Sequence, residues 1–441
     1  MSALVSIIPE KQPQPPVLLS QFEALFPKIE IFFNAALQPF VRFKEEKHWR
    51  TYALRGPELR RLLVDRYFQK FKVMPSAASV RECLAWIDAR YSRLPGPAEA
   101  FTRFAPDGSE FWLDFADCSG QAVCLTRDLD YQADPPQYGW SILPAPAVNF
   151  RRFAHQRPLP PPQSGFALLE NRKLAFSARF NSLRALLPEI SDADWLWLLV
   201  WLTAVLRSDF PIPALCLVGP PGSGKTTFAR LLRRLLDPSA VELLPPEVSP
   251  AALACALDQH ALPIFDNLGR LTPAQSNFFC RAITGGGFLY PAAGAGSRYL
   301  ACRRPLIFTA LEPPSLSPDW LDRVLLLPLE SRALAYLPEA RLWERFDHIH
   351  HQLLAALFDL FCHALRRSVV DPPALRLPRM ADFAAWGAAV AASLGKGSDS
   401  FIEALNANRA RFAEHGLDDD TLAAPLLALL GREHYWQGTA Q

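Results

Sequence analysis

Apolar residues recur along this chain with changing period, and each change of period marks an element. Leu59, Leu62, Leu63, Tyr67 and Phe71 fall on one helical face and predict a helix over 57–71. Short apolar runs at 110–116 and 122–126 predict strands. The stretch Pro158–Gln163 (PLPPPQ) cannot continue either kind of element and predicts a stiff linker. Asp192–Arg207, with three tryptophans in an apolar run, predicts a buried helix. Beyond it strands and helices alternate. Ala214–Val218 predicts a strand and Thr226–Leu236 an amphipathic helix, with further strands at Ala261–Phe265, Pro305–Thr309 and Arg323–Leu329. Alternation of this kind implies an α/β parallel sheet with helices on both faces. From 331 onward the spacing is helical, at Leu353–Leu365, Met380–Leu394, Phe401–Phe412 and Asp418–Leu430. The expected domains are an α+β N-terminal domain (1–157), a linker and helical lead-in (158–208), the sheet domain (209–330) and an all-helical C-terminal domain (331–441).

The chain has 441 residues, half of them hydrophobic, enough to bury sizeable cores and too many for one ordinary domain. A net charge of +2 excludes a globally polycationic protein, so any nucleic-acid contact has to come from local patches. The eight cysteines lack the CxxC spacing of zinc sites and suggest no disulfide framework, which fits a reducing cytoplasm. His348, His350 and His351, with Glu344 nearby, read as a solvated helix face rather than a metal site. No signal peptide is expected, and the most apolar run is too short to span a bilayer, so no membrane partner is expected.

One motif carries chemistry. Gly219-Pro220-Pro221-Gly222-Ser223-Gly224-Lys225-Thr226, followed by Thr227, stands between an apolar strand and an amphipathic helix, the context of a phosphate-binding loop. Its glycines let backbone N–H groups turn inward around an anion, at the positive end of the helix dipole. Lys225 is the only lysine between Lys173 and Lys396, in a region that otherwise uses arginine. The loop needs a compact ammonium on a flexible stem to reach the β- and γ-phosphates of ATP. The Thr226 hydroxyl suits Mg2+, and Asp266, ending an apolar strand about forty residues on, suits the same ion. Pro263 is awkward for a central strand. Asn267 follows Asp266, and an amide orients water without accepting its proton at neutral pH.

Asp266-Asn267-Leu268, Phe279–Phe288 (FCRAITGGGF), Arg304–Thr309 (RPLIFT) and Leu321-Asp322-Arg323 resemble a family of ATPases carried by bacterial mobile elements and prophages. That family is similar to superfamily-3 helicases within the wider AAA+ class. The similarity extends to Pro378–Phe383 and weakly to Tyr138-Gly139-Trp140. The resemblance implies an AAA+-like P-loop sheet and a ring-shaped, hexameric homo-oligomer with ATP at its interfaces. Thr309 falls at the family's sensor-asparagine position. Arg323 falls at the position of an arginine finger, the alternative being an ion pair with Asp319 or Asp322, and Arg379 at that of a second sensor. A catalytic set of Lys225, Asp266, Asn267, Thr309 and Arg323 follows.

Two short β-prone pieces around the Gly/Ala/Ser tip of Leu289–Leu300 predict a hairpin. The resemblance implies that such a hairpin grips nucleic acid in the ring's channel, through Arg298 with Tyr290 and Tyr299; the alternative is a merely structural hairpin. Arg42–Lys72 holds ten basic residues against four acidic ones, interleaved with aromatics. This suits either single-stranded nucleic acid or an amphipathic helix with solvated arginines. The implied function is an ATP-driven DNA motor, the replicative helicase of a mobile element, with single-stranded or forked DNA and a primase or polymerase of the same element as partners. The alternative is an AAA+ ATPase that loads or remodels a partner protein.

Overall fold

The computed structural model describes residues 21–418 and 425, apart from 23, 27, 35–37, 46–47, 92–97, 118, 128–138, 145–147, 163–175, 247–248, 292–296, 316, 331–337 and 371–376. The chain forms two compact units, residues 1–100 with 149–154, and 101–148 with 155–441.

In the first unit, strands β1 (Glu30–Phe33), β2 (Pro39–Glu45) and β3 (His48–Ala53) form an antiparallel sheet in that order. Helix α1 (Pro57–Phe71) covers the expected span, with proline in its first turn where no N–H is missed. With α2 (Ala77–Tyr91) it closes a core of Phe22, Phe26, Val41, Phe43, Leu59, Leu63, Val80 and Ile87.

The second unit holds two sheets. Strands β4 (Phe104–Asp107), β5 (Glu110–Asp114), β6 (Gln121–Leu125) and β7 (Trp140–Pro144) form an antiparallel meander. The division between the units therefore does not fall at the proline stretch. Phe111 and Trp140 of the meander pack edge-on against Phe361 and Phe358 of the long helix α7 (Glu339–Val370), and apolar contact of this kind decides where a unit ends. Leu159, inside the expected linker, is itself buried and donates its N–H to the Phe115 carbonyl.

The other sheet is parallel, in the order β13-β8-β12-β9, from β8 (Ala214–Val218), β9 (Ile264–Leu268), β12 (Ile307–Ala310) and β13 (Val324–Pro328). Successive side chains alternate between its faces. Leu215, Leu217, Ile264, Ile307, Leu325 and Leu327 share a core with the lead-in helix α3 (Asp192–Val205), α4 (Lys225–Leu236), α7, α8 (Ala381–Ser393) and α9 (Ser398–Asp418). Cys216, Val218, Phe265, Phe308 and Leu326 face the opposite way, onto α5 (Pro250–Gln259) and α6 (Pro273–Thr284). The expectation of a parallel sheet with helices on both faces is met. Every residue of α3 from Asp194 to Val205 is buried, as its unbroken apolar run requires. Most of the helix expected at Asp418–Leu430 lies outside the described residues.

Strand β9 starts three residues later than expected, at Ile264. The reason is Pro263: it stands just before the strand, at the sheet's edge, where only its carbonyl is needed and accepts from the Ile307 N–H at 3.1 Å.

The histidines also depart from expectation. His348 is exposed, but His350 is only 5% exposed, and its Nε2 is 3.0 Å from the Leu235 carbonyl, placed to donate to it. Burial pushes its pKa down to about 4. Burial, with Arg233 beside it, pushes His260 down to about 3. Both rings are held neutral while the unfolded chain protonates near the ordinary value of 6.5. Their contribution to stability is therefore full above about pH 6.5 and is lost as the pH falls from there towards about 4 for His350 and about 3 for His260. The melting temperature is expected to drop between pH 7 and pH 5, and to drop less in His350→Gln. An equal drop in the variant would remove His350 from the account.

Candidate functional site

Strand β8 lies between β12 and β13, so the loop that leaves its C-terminal end opens at the centre of the sheet's edge. Ligands of open parallel sheets bind at this end of the strands. The loop's backbone demands its glycines. A Cβ at Gly219, where φ is +152°, would lie 2.1 Å from the Leu329 carbonyl oxygen. Gly222 and Gly224 sit at φ +80° and +85°. Gly224 is the N-cap of α4 and supplies no side-chain cap, so the first-turn N–H groups face outward without one. That is the geometry of an anion cradle, and triphosphate oxygens fit it.

Lys225 folds back over the loop. Its ammonium donates to the carbonyls of Gly219 at 2.6 Å and Pro220 at 2.8 Å, and lies 3.4 Å from the Ser223 hydroxyl. Partial burial lowers its pKa, opposed by the carboxylate of Asp266. Thr227 follows in the same first turn and is partly exposed.

Asp266 gathers the rest. Its Oδ1 accepts from the Thr226 hydroxyl at 2.9 Å and from the Thr309 hydroxyl at 2.7 Å. Thr309 is 1% exposed and in turn accepts from the Asn267 backbone N–H at 2.8 Å. Three segments far apart in sequence thus converge on one carboxylate oxygen. A carboxylate beside a hydroxyl is the hard-oxygen set that Mg2+ takes from proteins, its other ligands being phosphate and water. Among the described residues no cluster of three His, Cys, Asp or Glu forms a metal cage.

One feature of the site had no counterpart in the sequence analysis. The β9–β12 register slips between Phe308 and Ala310: Phe308 faces Phe265 and Ala310 faces Leu268, so both Asp266 and Asn267 stand opposite Thr309. This is a β-bulge, and Asn267 occupies its left-handed position at φ +59°. The signal available beforehand was an asparagine at a strand's end, the type that enters this region most readily after glycine.

Arg323 is engaged within its own chain. It donates to the Asp319 carbonyl at 2.7 Å and to the Asp319 carboxylate, the ion pair that stood as the alternative to a finger. Its Nε is buried and has no hydrogen-bond partner among the described residues. Arg379 pairs with Asp322 at 2.9 Å and Asp319 at 3.3 Å, and Arg409 with Asp322 at 3.5 Å.

The expected hairpin forms from β10 (Gly286–Pro291) and β11 (Ser297–Cys302), with Tyr290 opposite Arg298. Phe288 and Leu300 bury its base, and Phe278 of α6 packs on Phe288 at 4.6 Å. The tip 292–296 and the side chains of Tyr290, Arg298 and Tyr299 lie outside the described residues. In the first unit, much of the basic stretch 42–72 is engaged internally. Arg42 pairs with Glu30 and lies over Trp49, Arg50 and Arg66 pair with Glu45, and Arg55 pairs with Asp88. Arg60 and Arg61 stay exposed beside Phe68 and Met74, lining a cleft of about 580 Å³.

Fold and site together define a mixed α/β protein with a glycine-rich loop at the centre of a parallel sheet. The chain belongs to the actinomycete integrative conjugative element replication proteins, whose family model matches residues 186–420. It is a replication protein of a mobile element. Among solved structures, it is similar to SCCmec type IV Cch, described as an active helicase, at 10% identity and TM-score 0.42, covering 93% of this chain and 79% of that one. It is also similar to the A form apo structure of the NrS-1 C-terminal region, at 11% identity and TM-score 0.38, covering 78% and 69%. A third likeness is to the apo NrS-1 C-terminal region 305–718, at 10% identity and TM-score 0.36, covering 90% and 76%. No curated protein matches the chain. Among the described residues no helix is long and apolar enough to cross a membrane.

Proposed function

We propose that this protein is an ATP-dependent DNA motor, the replicative helicase of an integrative conjugative element, built on a P-loop domain of the AAA+ superfamily-3 type and working as a hexameric ring. The observation that carries this reading is the convergence of Thr226 and Thr309 on Asp266, directly beside the glycine loop. ATP bound with Mg2+ supplies a phosphoryl group whose transfer to water releases free energy. The loop's N–H groups and the outward end of α4 hold the phosphates. Lys225 exchanges its loop carbonyls for β/γ-oxygens and neutralises charge there. Thr226 and Asp266 would hold the Mg2+ ion, which would offset phosphate charge. Arg323 acts across a subunit interface when a neighbouring site draws it from Asp319, and the β10–β11 hairpin contacts the DNA strand through Arg298, Tyr290 and Tyr299.

The site has a route to the hairpin. Strand β9 runs through α6 to β10, and β11 runs into β12, which carries Thr309. Both ends of this excursion meet at Asp266. The test is ATP turnover with and without single-stranded DNA, together with strand displacement on a fork. Turnover is expected to rise severalfold with DNA and to lose that stimulation as salt screens the phosphate contacts. Turnover indifferent to DNA, with no displacement, would instead make the protein a remodeller of a partner protein.

A further inference from the structure

We infer that Thr309 is a positioning residue that latches the β9 bulge, and that position 267 is asparagine for its backbone conformation rather than for its amide. The inference deepens the reading of Asp266 as a metal ligand and rests on it. Thr309 uses its single hydroxyl twice. It donates to Asp266 Oδ1 at 2.7 Å and accepts from the Asn267 N–H at 2.8 Å. In a regular strand pair, one residue of β9 would stand opposite Thr309; here two do. The extra residue leaves the Asn267 N–H without a ladder partner from β12, and the Thr309 hydroxyl takes that place, since a polar group at a sheet's interior edge needs a partner.

The conformation then restricts the residue. At φ +59°, a side chain with a Cβ is strained, least for asparagine or aspartate and not at all for glycine. The Asn267 side chain is exposed, and no hydrogen bond of its amide is found among the described residues. The site therefore needs the bulge, which turns the Asp266 carboxylate towards Thr226. An acid introduced at 267 has to bear the left-handed strain before it can act on water, and Asn267→Glu is expected to slow turnover rather than raise it.

Four variants test this: Thr309→Val, Thr309→Ser, Asn267→Gly and Asn267→Ala. The readouts are melting temperature and the Mg2+ concentration that half-saturates binding of a fluorescent mant-ATP. Thr309→Val keeps the shape but loses a hydrogen bond to a charged group, so the half-saturating Mg2+ is expected to rise about tenfold or more. Thr309→Ser restores it to within about threefold. Asn267→Gly is expected to melt at or above the wild-type temperature and Asn267→Ala below it, with the same order in Mg2+ dependence. If glycine and alanine weaken the protein and its Mg2+ response equally, the amide matters and the inference falls. It falls equally if Thr309→Val leaves the Mg2+ response unchanged. The melting order of the 267 variants stands apart from nucleotide chemistry. A wild-type protein that binds no mant-ATP, yet shows that order, would overturn the metal-site reading and the latch while keeping the account of the bulge.

Discussion

Replacing Lys225 by alanine is expected to lower ATP turnover about a hundredfold or more, with little change in folding. The expected loss follows from removing one fixed positive charge from the place where transferred charge develops, an effect typically worth two to three orders of magnitude. The fold should tolerate the change because, among the described residues, the ammonium hydrogen-bonds to the carbonyls and hydroxyl of its own loop. Lys225 is not part of the buried core, so the stability change should stay within about 0.5 kcal/mol. Steady-state hydrolysis beside thermal melting checks both parts. A variant that turns over ATP at more than about a tenth of the wild-type rate, a barrier change below ~1.4 kcal/mol, would put the nucleotide elsewhere.

The largest expected loss of stability lies at Asp237, in the last turn after the loop helix. Its carboxylate is 2% exposed and accepts from Arg103 at 3.0 Å and from the Leu262 N–H at 3.1 Å. Burial alone would raise its pKa, but Arg103 and Arg233 outweigh it and hold the carboxyl below its ordinary value. Arg103 is itself fully buried and also donates to the carbonyls of Asp114 and Arg157, each at 3.0 Å. One carboxylate thus ties the meander, the C-terminal end of α4 and the segment before β9 together. Asp237→Ala leaves two buried guanidinium groups facing each other without it, and is expected to cost about 3–5 kcal/mol. Arg103→Ala should cost a similar amount, and the double variant less than the sum, since both remove the same contact. Urea unfolding followed by tryptophan fluorescence measures this, and a loss under about 1 kcal/mol would show that solvent or other groups take over the charge. The stability supplied by Asp237 is present above the ordinary carboxylate range and is lost as the pH falls through and below it.

The sequence by itself determined what depends on periodicity and on local backbone chemistry. Ala214–Val218 is apolar at every position because a strand between two neighbours is covered on both faces, and Gly219 and Gly224 stand where only glycine meets the backbone's demand. The helix at Pro57–Phe71 and the hairpin over Gly286–Cys302 were legible for the same reason: spacing and turn residues act within a few positions of themselves. Tertiary structure decided what depends on partners distant in sequence. Only the asparagine at the strand's end hints at the bulge, because the bulge itself exists only against Thr309, forty-two residues away. His350 sits in a helix whose sequence reads as solvated there, and is buried because Leu235 of another helix offers it a carbonyl. Arg379 pairs with Asp322, fifty-seven residues before it, a contact that no local spacing announces. The meander joined the second unit because its apolar face found α7, more than two hundred residues on. A residue's own type limits which contacts it can make, but which of them it makes is set by the surfaces that folding brings to it.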